Sequence, residues 1–376
     1  MRLPFTAYSR ASLRLVTDAL RPDAGGSDAA RFRARAETDW PAALALANAH
    51  YIAPALHAAL SRVEDWPLLP EDLRGYLALL HGQNRIRNRR LRRQAGALVA
   101  AFNRAGIPLM LLKGGIALFR DHHGDPGARM IRDLDLLVPR ADAAGALQVL
   151  DRLGHRAIML YPVGHNAIGD FARDGDPAAI DLHVGLIDRP WLLPAVRVWR
   201  RAERIRVDEG ELLLPCAEDR LLHNLLHGQI HHTGNFYRGW FELRQLLDFV
   251  RLAQQDRDAI DWPALEQRLV QQRLALPLQA WLLAADRLLG FDWPLATPPS
   301  AAARLQLRRC ALQIRVPVLD SLTLPVANLC AAFARHRMDG LYGARSPLLL
   351  RQLRHALQFL HKSGGSATMA RLFKTQ

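Results

Sequence analysis

Between Gly106 and Ile187 the spacing of apolar residues changes, and this change limits what the whole chain can fold into. Before it, from about Ala29 to Asn103, apolar residues recur three and four apart (Leu44, Ala47, Leu56, Ala59, Leu60, then Leu73, Leu77, Leu80), the period of one-sided helices. Inside it the chain breaks into short apolar runs at Ile107–Leu112, Met130–Val138, Arg156–Tyr161 and Ala178–Ile187. Runs of this length, bounded by glycine and polar residues, suit strands. Helices are expected between them at Ile116 to about His122 and at Ala141–Leu153, the second ended by Gly154, while Gly164–Asp176 reads as a polar excursion. From Pro215 the helical period returns over Glu218–His232, Phe241–Ala253, Trp262–Arg273, Leu276–Leu289, Leu305–Arg315 and Ser346–Leu360. The expected class is α+β, a small mixed sheet flanked by helical regions on both sides in sequence. The corresponding boundaries are a helical region over 1–103, a core over 104–207, a helical domain over 208–362 and a flexible tail over 363–376.

A chain of 376 residues, half of them hydrophobic and 23% charged, can bury a sizeable core, and this make-up excludes wholesale disorder and fibrous folds. Fifty Lys and Arg against 36 Asp and Glu leave a net charge of +14, which suggests an anionic partner such as nucleic acid, nucleotide phosphate or a membrane surface. Lysine occurs only at 113, 362 and 374, and such an arginine bias, beside heavy Ala and Leu usage, fits a GC-rich genome better than a function. Arg85–Arg93 holds six arginines in nine residues without aromatic interleaving. A solvated helix face, or one that meets substrate phosphates, is therefore favoured over a nucleic-acid clamp. Cys216, Cys310 and Cys330 are too few and too far apart for a disulfide framework or a paired-cysteine zinc site. Arg10 and Arg14 interrupt the place where a signal peptide needs an apolar core, and the longest uncharged stretch, Pro41–Ser61, is a poor span, so a cytoplasmic location and no membrane partner are expected.

Chemistry concentrates in the middle third. Asp133 and Asp135 lie two apart in a strand-like run, so their carboxylates share one face with Cα atoms roughly 6 to 7 Å apart. Carboxylates that close repel unless a cation lies between them, and oxygen-only donors favour Mg²⁺ or Mn²⁺, although spacing alone is a weak signal. Lys113-Gly114-Gly115 follows the first strand, and such a turn lets backbone N–H groups approach a phosphate, or is an ordinary tight turn. Asp181 and His183 alternate in the same way on the fourth run. If that run pairs beside the second, three carboxylates converge, as two-metal phosphoryl chemistry requires. His183 is expected as a packed hydrogen-bond partner. Arg129 either reaches phosphates or forms a structural salt bridge, and His122-His123 and His231-His232 read as turn or surface residues because neighbours in sequence share no face.

The stretch Ile107–Val138, IPLMLLKGGIALFRDHHGDPGARMIRDLDLLV, resembles the signature of the uncharacterised nucleotidyltransferase family within the DNA polymerase β-type nucleotidyltransferase superfamily. Leu221–His227 and Leu243–Asp248 are similar to a helical pattern after that family's core, so the resemblance spans roughly Gly106 to Gly290. It implies a nucleotidyltransferase palm in which Gly114 and Gly115 hold the triphosphate, and Lys113 and Arg129, by their places beside that turn, are further candidates to meet it. Asp133 and Asp135 would bind both metal ions, and Asp181 would be the third carboxylate. In three places the chain departs from the pattern: Gly115 replaces a frequent serine, Asp181 stands where glutamate is common, and Arg132 precedes the pair where a small residue is expected. Arg132 is placed to pair with Asp133 or Asp135 and compete with metal.

The function expected is metal-dependent transfer of a nucleoside monophosphate from an NTP to an acceptor, with release of pyrophosphate. The acceptor, whether protein, peptide, small molecule or RNA end, is not readable from the sequence. Two other classes stay open: a catalytically silent nucleotide-binding or protein-interaction module, and a basic nucleic-acid-binding protein recognised by a steep salt dependence.

Overall fold

The computed structural model describes residues 10–21, 39–63, 66–231, 234–316 and 318–358. The expected tail at 363–376, the start of the first helical stretch and His232 lie outside these residues. The class is α+β. Seven strands form one mixed sheet: β1 Met110–Leu111, β2 Leu134–Leu137, β3 Arg156–Leu160, β4 Ala167–Ala172, β5 Ile180–His183, β6 Glu203–Val207 and β7 Gly210–Leu214. Their order is β3-β4-β5-β2-β1-β7-β6, with β2/β5 and β1/β7 parallel and the other pairs antiparallel.

Period-two alternation sends the two faces of the central strands into different cores. Leu109 and Leu111, with Leu134, Leu136 and Val138, pack with the helix Glu71–Arg104 and with Val149 and Leu150 of the helix Ala143–Arg152. Met110, Leu112 and Leu137 point the other way, into a core shared by helices from both ends of the chain. Leu15, Leu46 and Leu56 of the helices Arg10–Ala19, Trp40–Ala49 and Ala53–Leu60 meet Leu225, Phe249 and Trp281 of the helices Ala217–Gln229, Leu243–Gln255 and Ala275–Leu289 there. Asp135 lies on this second face of β2, so the carboxylates look towards the C-terminal helices.

The helix Glu71–Arg104 runs for 34 residues, about 50 Å. Glu71 and Asp72 oppose the positive end of its dipole, and its buried stripe, Leu73, Leu77, Asn84, Leu91, Leu98 and Phe102 among others, keeps three- and four-residue spacing. Asn84 and Asn88 sit in that stripe because they bind backbone: their Nδ2 groups donate to the carbonyls of Gly127, Arg129 and Pro126 at 2.8 to 3.0 Å, fixing the loop before β2. The arginine run divides by periodicity. Arg85, Arg89 and Arg93, four apart, are exposed. Arg87 donates to the carbonyls of Ile131, Arg132 and Pro177, Arg90 to that of Gly175, and Arg92 pairs with Glu209, so half of the run clamps the helix to the sheet's loops.

Two expectations are corrected. The segment expected as a helix over Ile116–His122 is a 3-10 turn, Lys113–Leu118, because two glycines at its start and only six residues do not nucleate an α-helix. Gly164–Asp176 contains β4, whose buried residues Ala167, Gly169 and Phe171 alternate properly; Gly169 and Asp170 hide its strand character, and a Cβ at Gly169 would collide with the Met159 carbonyl. The sheet also continues past residue 207 through β7, joined to β6 at Gly210, whose φ of +140° suits glycine. Cys216, Cys310 and Cys330 are free thiols.

Candidate active site

The parallel pairing of β2 with β5 sets Asp135 directly opposite Asp181 and Leu137 opposite His183. One face of the two neighbouring strands therefore carries Asp135, Asp181 and His183, and Asp133 lies in the bend immediately before β2. His183 Nε2 lies 3.1 Å from Asp135 Oδ1 and 2.9 Å from Asp181 Oδ2, bridging the two carboxylates. Lys113 Nζ is 2.5 Å from the same Asp135 Oδ1. The lysine backbone has φ +48°, a left-handed conformation uncommon outside glycine, at the first residue of the turn. Asp181 Oδ1 is buried and has no hydrogen-bond partner. A fourth carboxylate, Asp170, lies opposite Asp181 on β4 and accepts a 3.2 Å bond from the Tyr161 hydroxyl.

Charge is unevenly balanced here. Burial pushes the Asp135 carboxyl up, but Lys113 and His183 outweigh it and hold the group well below the usual carboxylate range. Burial likewise favours neutral Lys113 and His183, yet Asp135, joined for His183 by Asp181, raises the pKa of both. Asp133 is pushed up by desolvation and by the Asp135 charge, and Asp170 by desolvation and the Asp181 charge. Lys113 and His183 thus favour the charge on Asp135, whereas Asp133 and Asp170 are less well compensated. Asp135, Asp181 and His183 lie close enough to share one ion, and this set of two carboxylates and an imidazole, with the orphan oxygen of Asp181, fits a divalent cation of the Mg²⁺ or Mn²⁺ type.

Asp133 and Asp135 open into a cleft of about 200 Å³ whose near wall also includes Lys113, Gly114 and Arg129, and whose far wall comes from the helices Ala217–Gln229 and Leu243–Gln255. Burial pushes His223 on that wall down to about 3 and holds His227 well below the normal imidazole range, so both are neutral near pH 7. Arg129 forms the structural salt bridge: its Nε and Nη2 lie 2.7 to 2.9 Å from the buried carboxylate of Asp248. That bridge also sets Arg129 against the glycine turn, since a Cβ on Gly114 would come within 3.1 Å of its guanidinium. Gly115 is different. Its N–H donates to Leu112 O at 3.1 Å, and a Cβ there would make ordinary contact, 3.6 Å from Leu111 Cδ2. Arg132 forms no ion pair with Asp133 or Asp135, though its charge acts on Asp133 against the desolvation; its guanidinium lies 5.4 Å from the centroid of the Tyr51 ring.

The histidines expected at turns or at the surface lie in a bend, with their side chains turned inward. His122 and His123 are buried beside Asp248, with His123 Nε2 at 3.0 Å and His122 Nε2 at 3.9 Å from Oδ1, because the irregular loop lets neighbours turn the same way. A metal could be held by these three residues, but Arg129 already supplies the cation Asp248 needs. Sequence reasoning missed Asp170, hidden in the excursion, and the role of Asp248, whose only signal was its place in the helical pattern after the core.

The model of the uncharacterised nucleotidyltransferase family matches residues 36–290, about two thirds of the chain. The chain belongs to that family. The nucleotidyltransferase match reaches further back than the Gly106 expected from motifs, taking in the helices Trp40–Ala49 and Ala53–Leu60 and the whole helix Glu71–Arg104. It ends at Gly290, the left-handed cap of the helix Ala275–Leu289, leaving the last helices outside. No curated protein and no solved structure matches the chain. No helix among the described residues is long and apolar enough to cross a membrane.

Proposed function

We propose that this face of β2 and β5 transfers a nucleoside monophosphate from an NTP to an acceptor hydroxyl, as in enzymes of the DNA polymerase β-type superfamily. The hydroxyl oxygen forms a bond to the α-phosphorus, the bond from that phosphorus to the bridging oxygen breaks, and pyrophosphate leaves while the hydroxyl proton passes to a base. The observation that carries this reading is the Asp135–Asp181 register, which sets two carboxylates side by side, with Asp133 in the bend two residues before Asp135. Asp133 and Asp135 would hold both Mg²⁺ or Mn²⁺ ions and Asp181 the ion on the acceptor side. Ions so placed neutralise phosphate charge and lower the pKa of the attacking hydroxyl.

The chain's own groups divide the remaining work. Asp181 Oδ1, which has no hydrogen-bond partner, is the proton acceptor, and His183 on Oδ2 fixes its orientation. Lys113, Gly114, Gly115 and Arg129 form the triphosphate side, with Asp248 holding Arg129 in place. The helices that roof the cleft exclude water and strengthen these charges. The test is Mg²⁺-dependent pyrophosphate release from each of the four NTPs, with a cell extract as the source of acceptor. Release that Asp135→Asn abolishes supports the reading, and release unchanged in that variant contradicts it.

A further inference from the structure

Two arginines hold one pair of carboxylates, but they do so unequally. Arg120 uses two nitrogens, Nη1 at 2.5 Å from Glu203 Oε2 and Nη2 at 2.8 Å from Asp256 Oδ1. Arg220, on the helix Ala217–Gln229 and only 3% exposed, meets the same pair through Nη2 alone, at 3.1 Å from Glu203 Oε1 and 2.9 Å from Asp256 Oδ2. Two cations and two anions make a neutral group. Among the described residues Arg220 Nε and Nη1 have no hydrogen-bond partner, although both are buried. Unpaired buried donors are costly, and the ion cluster gives no reason for them.

Arg220 lines the cleft that holds Asp133 and Asp135, whereas Arg120, Glu203 and Asp256 lie outside its lining. The far wall fixes where along the cleft it sits. Asn224 Nδ2 donates to Gln245 O at 3.1 Å and Arg220 Nη2 to Asp256, so the helices Ala217–Gln229 and Leu243–Gln255 run in opposite directions, and Arg220 meets the end of the second. The near wall follows that second helix in order. Arg132, next to Asp133, and Arg244 share the Tyr51 ring, and Arg129, which lies against Gly114, is bound to Asp248 four residues further on. Leu252, another four on, lines the cleft with Arg220. Each four residues advance about 6 Å. The cleft therefore runs from Asp133, past the glycine turn and Arg129, to Arg220.

We propose that Arg220 receives the terminal phosphate of the NTP, with Nε and Nη1 donating to its oxygens at the end of the cleft beyond the glycine turn. A triphosphate whose α-phosphorus lies at the carboxylates, and whose chain follows the turn past Arg129, extends towards this guanidinium. Nη2 is already bound twice, so the group is held before a ligand arrives and little side-chain freedom is lost on binding. Hydrogen bonds from guanidinium to anionic oxygen are strong, and the apolar neighbours Ile116, Pro215 and Leu252 keep this end of the cleft low in dielectric. The role rests on the nucleotide reading above and adds to it a cation from the C-terminal helices. It makes the site select triphosphates over monophosphates.

The experiment is titration calorimetry of the full chain with each NTP and with the matching nucleoside monophosphate, all in Ca²⁺ to prevent turnover. The wild type should bind at least one NTP more tightly than its monophosphate. Arg220→Lys keeps a charge for Glu203 and Asp256 but loses the spare N–H groups, so it should lose about 10- to 100-fold of that NTP affinity and none of the monophosphate affinity. Arg120→Lys weakens the same ion cluster outside the cleft and should bind both ligands like wild type. The double variant Arg220→Gln, Glu203→Gln keeps the cluster neutral and should repeat the Arg220→Lys loss, which covers the case in which that variant does not fold. Full NTP affinity in the folded Arg220 variants overturns this role alone. So does an equal loss for NTP and monophosphate, or the same loss in Arg120→Lys, since either marks a structural effect of the cluster. Failure of the wild type to bind any NTP overturns the nucleotide reading and this role with it.

Discussion

The ammonium of Lys113 sits 2.5 Å from Oδ1 of Asp135, so a carboxylate placed to hold metal already carries a cation from the turn before it. Asp135 is almost fully buried and Lys113 mostly so, which makes this the kind of pair whose separation leaves an uncompensated interior charge. Removing one partner therefore has consequences for stability that differ from those at the neighbouring Asp133.

Asp133→Asn and Asp135→Asn should both lower transfer by at least about 100-fold while moving stability in opposite directions. Asp133 is raised in pKa, so its ionised form opposes folding near neutral pH, and its amide should raise the melting temperature of metal-free protein. Asp135 is depressed, so its charge supports folding above the ordinary carboxylate pKa, and its amide should destabilise by about 3 kcal/mol by stranding Lys113. Lys113→Ala should destabilise similarly yet bind Mn²⁺ more tightly, since the competing ammonium is gone. Thermal melts and Mn²⁺ titration in the three variants check the signs.

Asp181→Asn should separate binding from transfer. Its register partner Asp135 and the lysine-glycine turn remain, so most Mg·NTP affinity should survive, whereas the proton acceptor is lost and transfer should fall by about 100-fold or more. Calorimetry and turnover in this single variant decide the matter. Transfer near the wild-type rate, or binding that collapses as in Asp133→Asn, would contradict the assignment.

The two glycines of the turn should respond differently to a methyl group. Gly114→Ala would press on the Arg129 guanidinium at 3.1 Å and should reduce both melting temperature and NTP affinity, because Arg129 is tied to Asp248. Gly115→Ala meets only ordinary contacts and should melt like wild type, so any loss of NTP affinity there reports on the approach of phosphate.

Acid should weaken the fold before the carboxylates titrate. His50 is buried against Trp240, and burial pushes it down to about 4 from an ordinary 6.5. Its unfolded form takes up a proton that the folded form refuses, so stability is full above pH 6.5 and is lost as pH falls towards 4. Between pH 7.5 and 4.5 this residue alone should remove about 2 to 3 kcal/mol. Denaturant unfolding at several pH values should show a shallower dependence in His50→Gln.

What the sequence revealed and hid follows from which physics acts locally. Period-two alternation made the strand that carries Asp135 legible, and the apolar run at Ile107–Leu112 marked the buried centre of the sheet. β4 was hidden because Gly169 is required by the close Met159 carbonyl and so lowers the apparent strand preference of its own segment. Arg129 was legible as a charge near the site, but its partner Asp248 lies 119 residues further on, and no periodicity spans that gap.

The most direct measurement follows phosphorus. The protein should be incubated with Mg²⁺, a cell extract and each NTP labelled in turn at the α- and the γ-phosphate, with Asp135→Asn as the control. Nucleotidyl transfer at these carboxylates predicts that label from the α-position, and not from the γ-position, becomes attached to an acceptor in the wild type, that pyrophosphate appears in equal amount, and that both are lost in the variant. Attachment of γ-label, or α-label attached equally by wild type and Asp135→Asn, would contradict it.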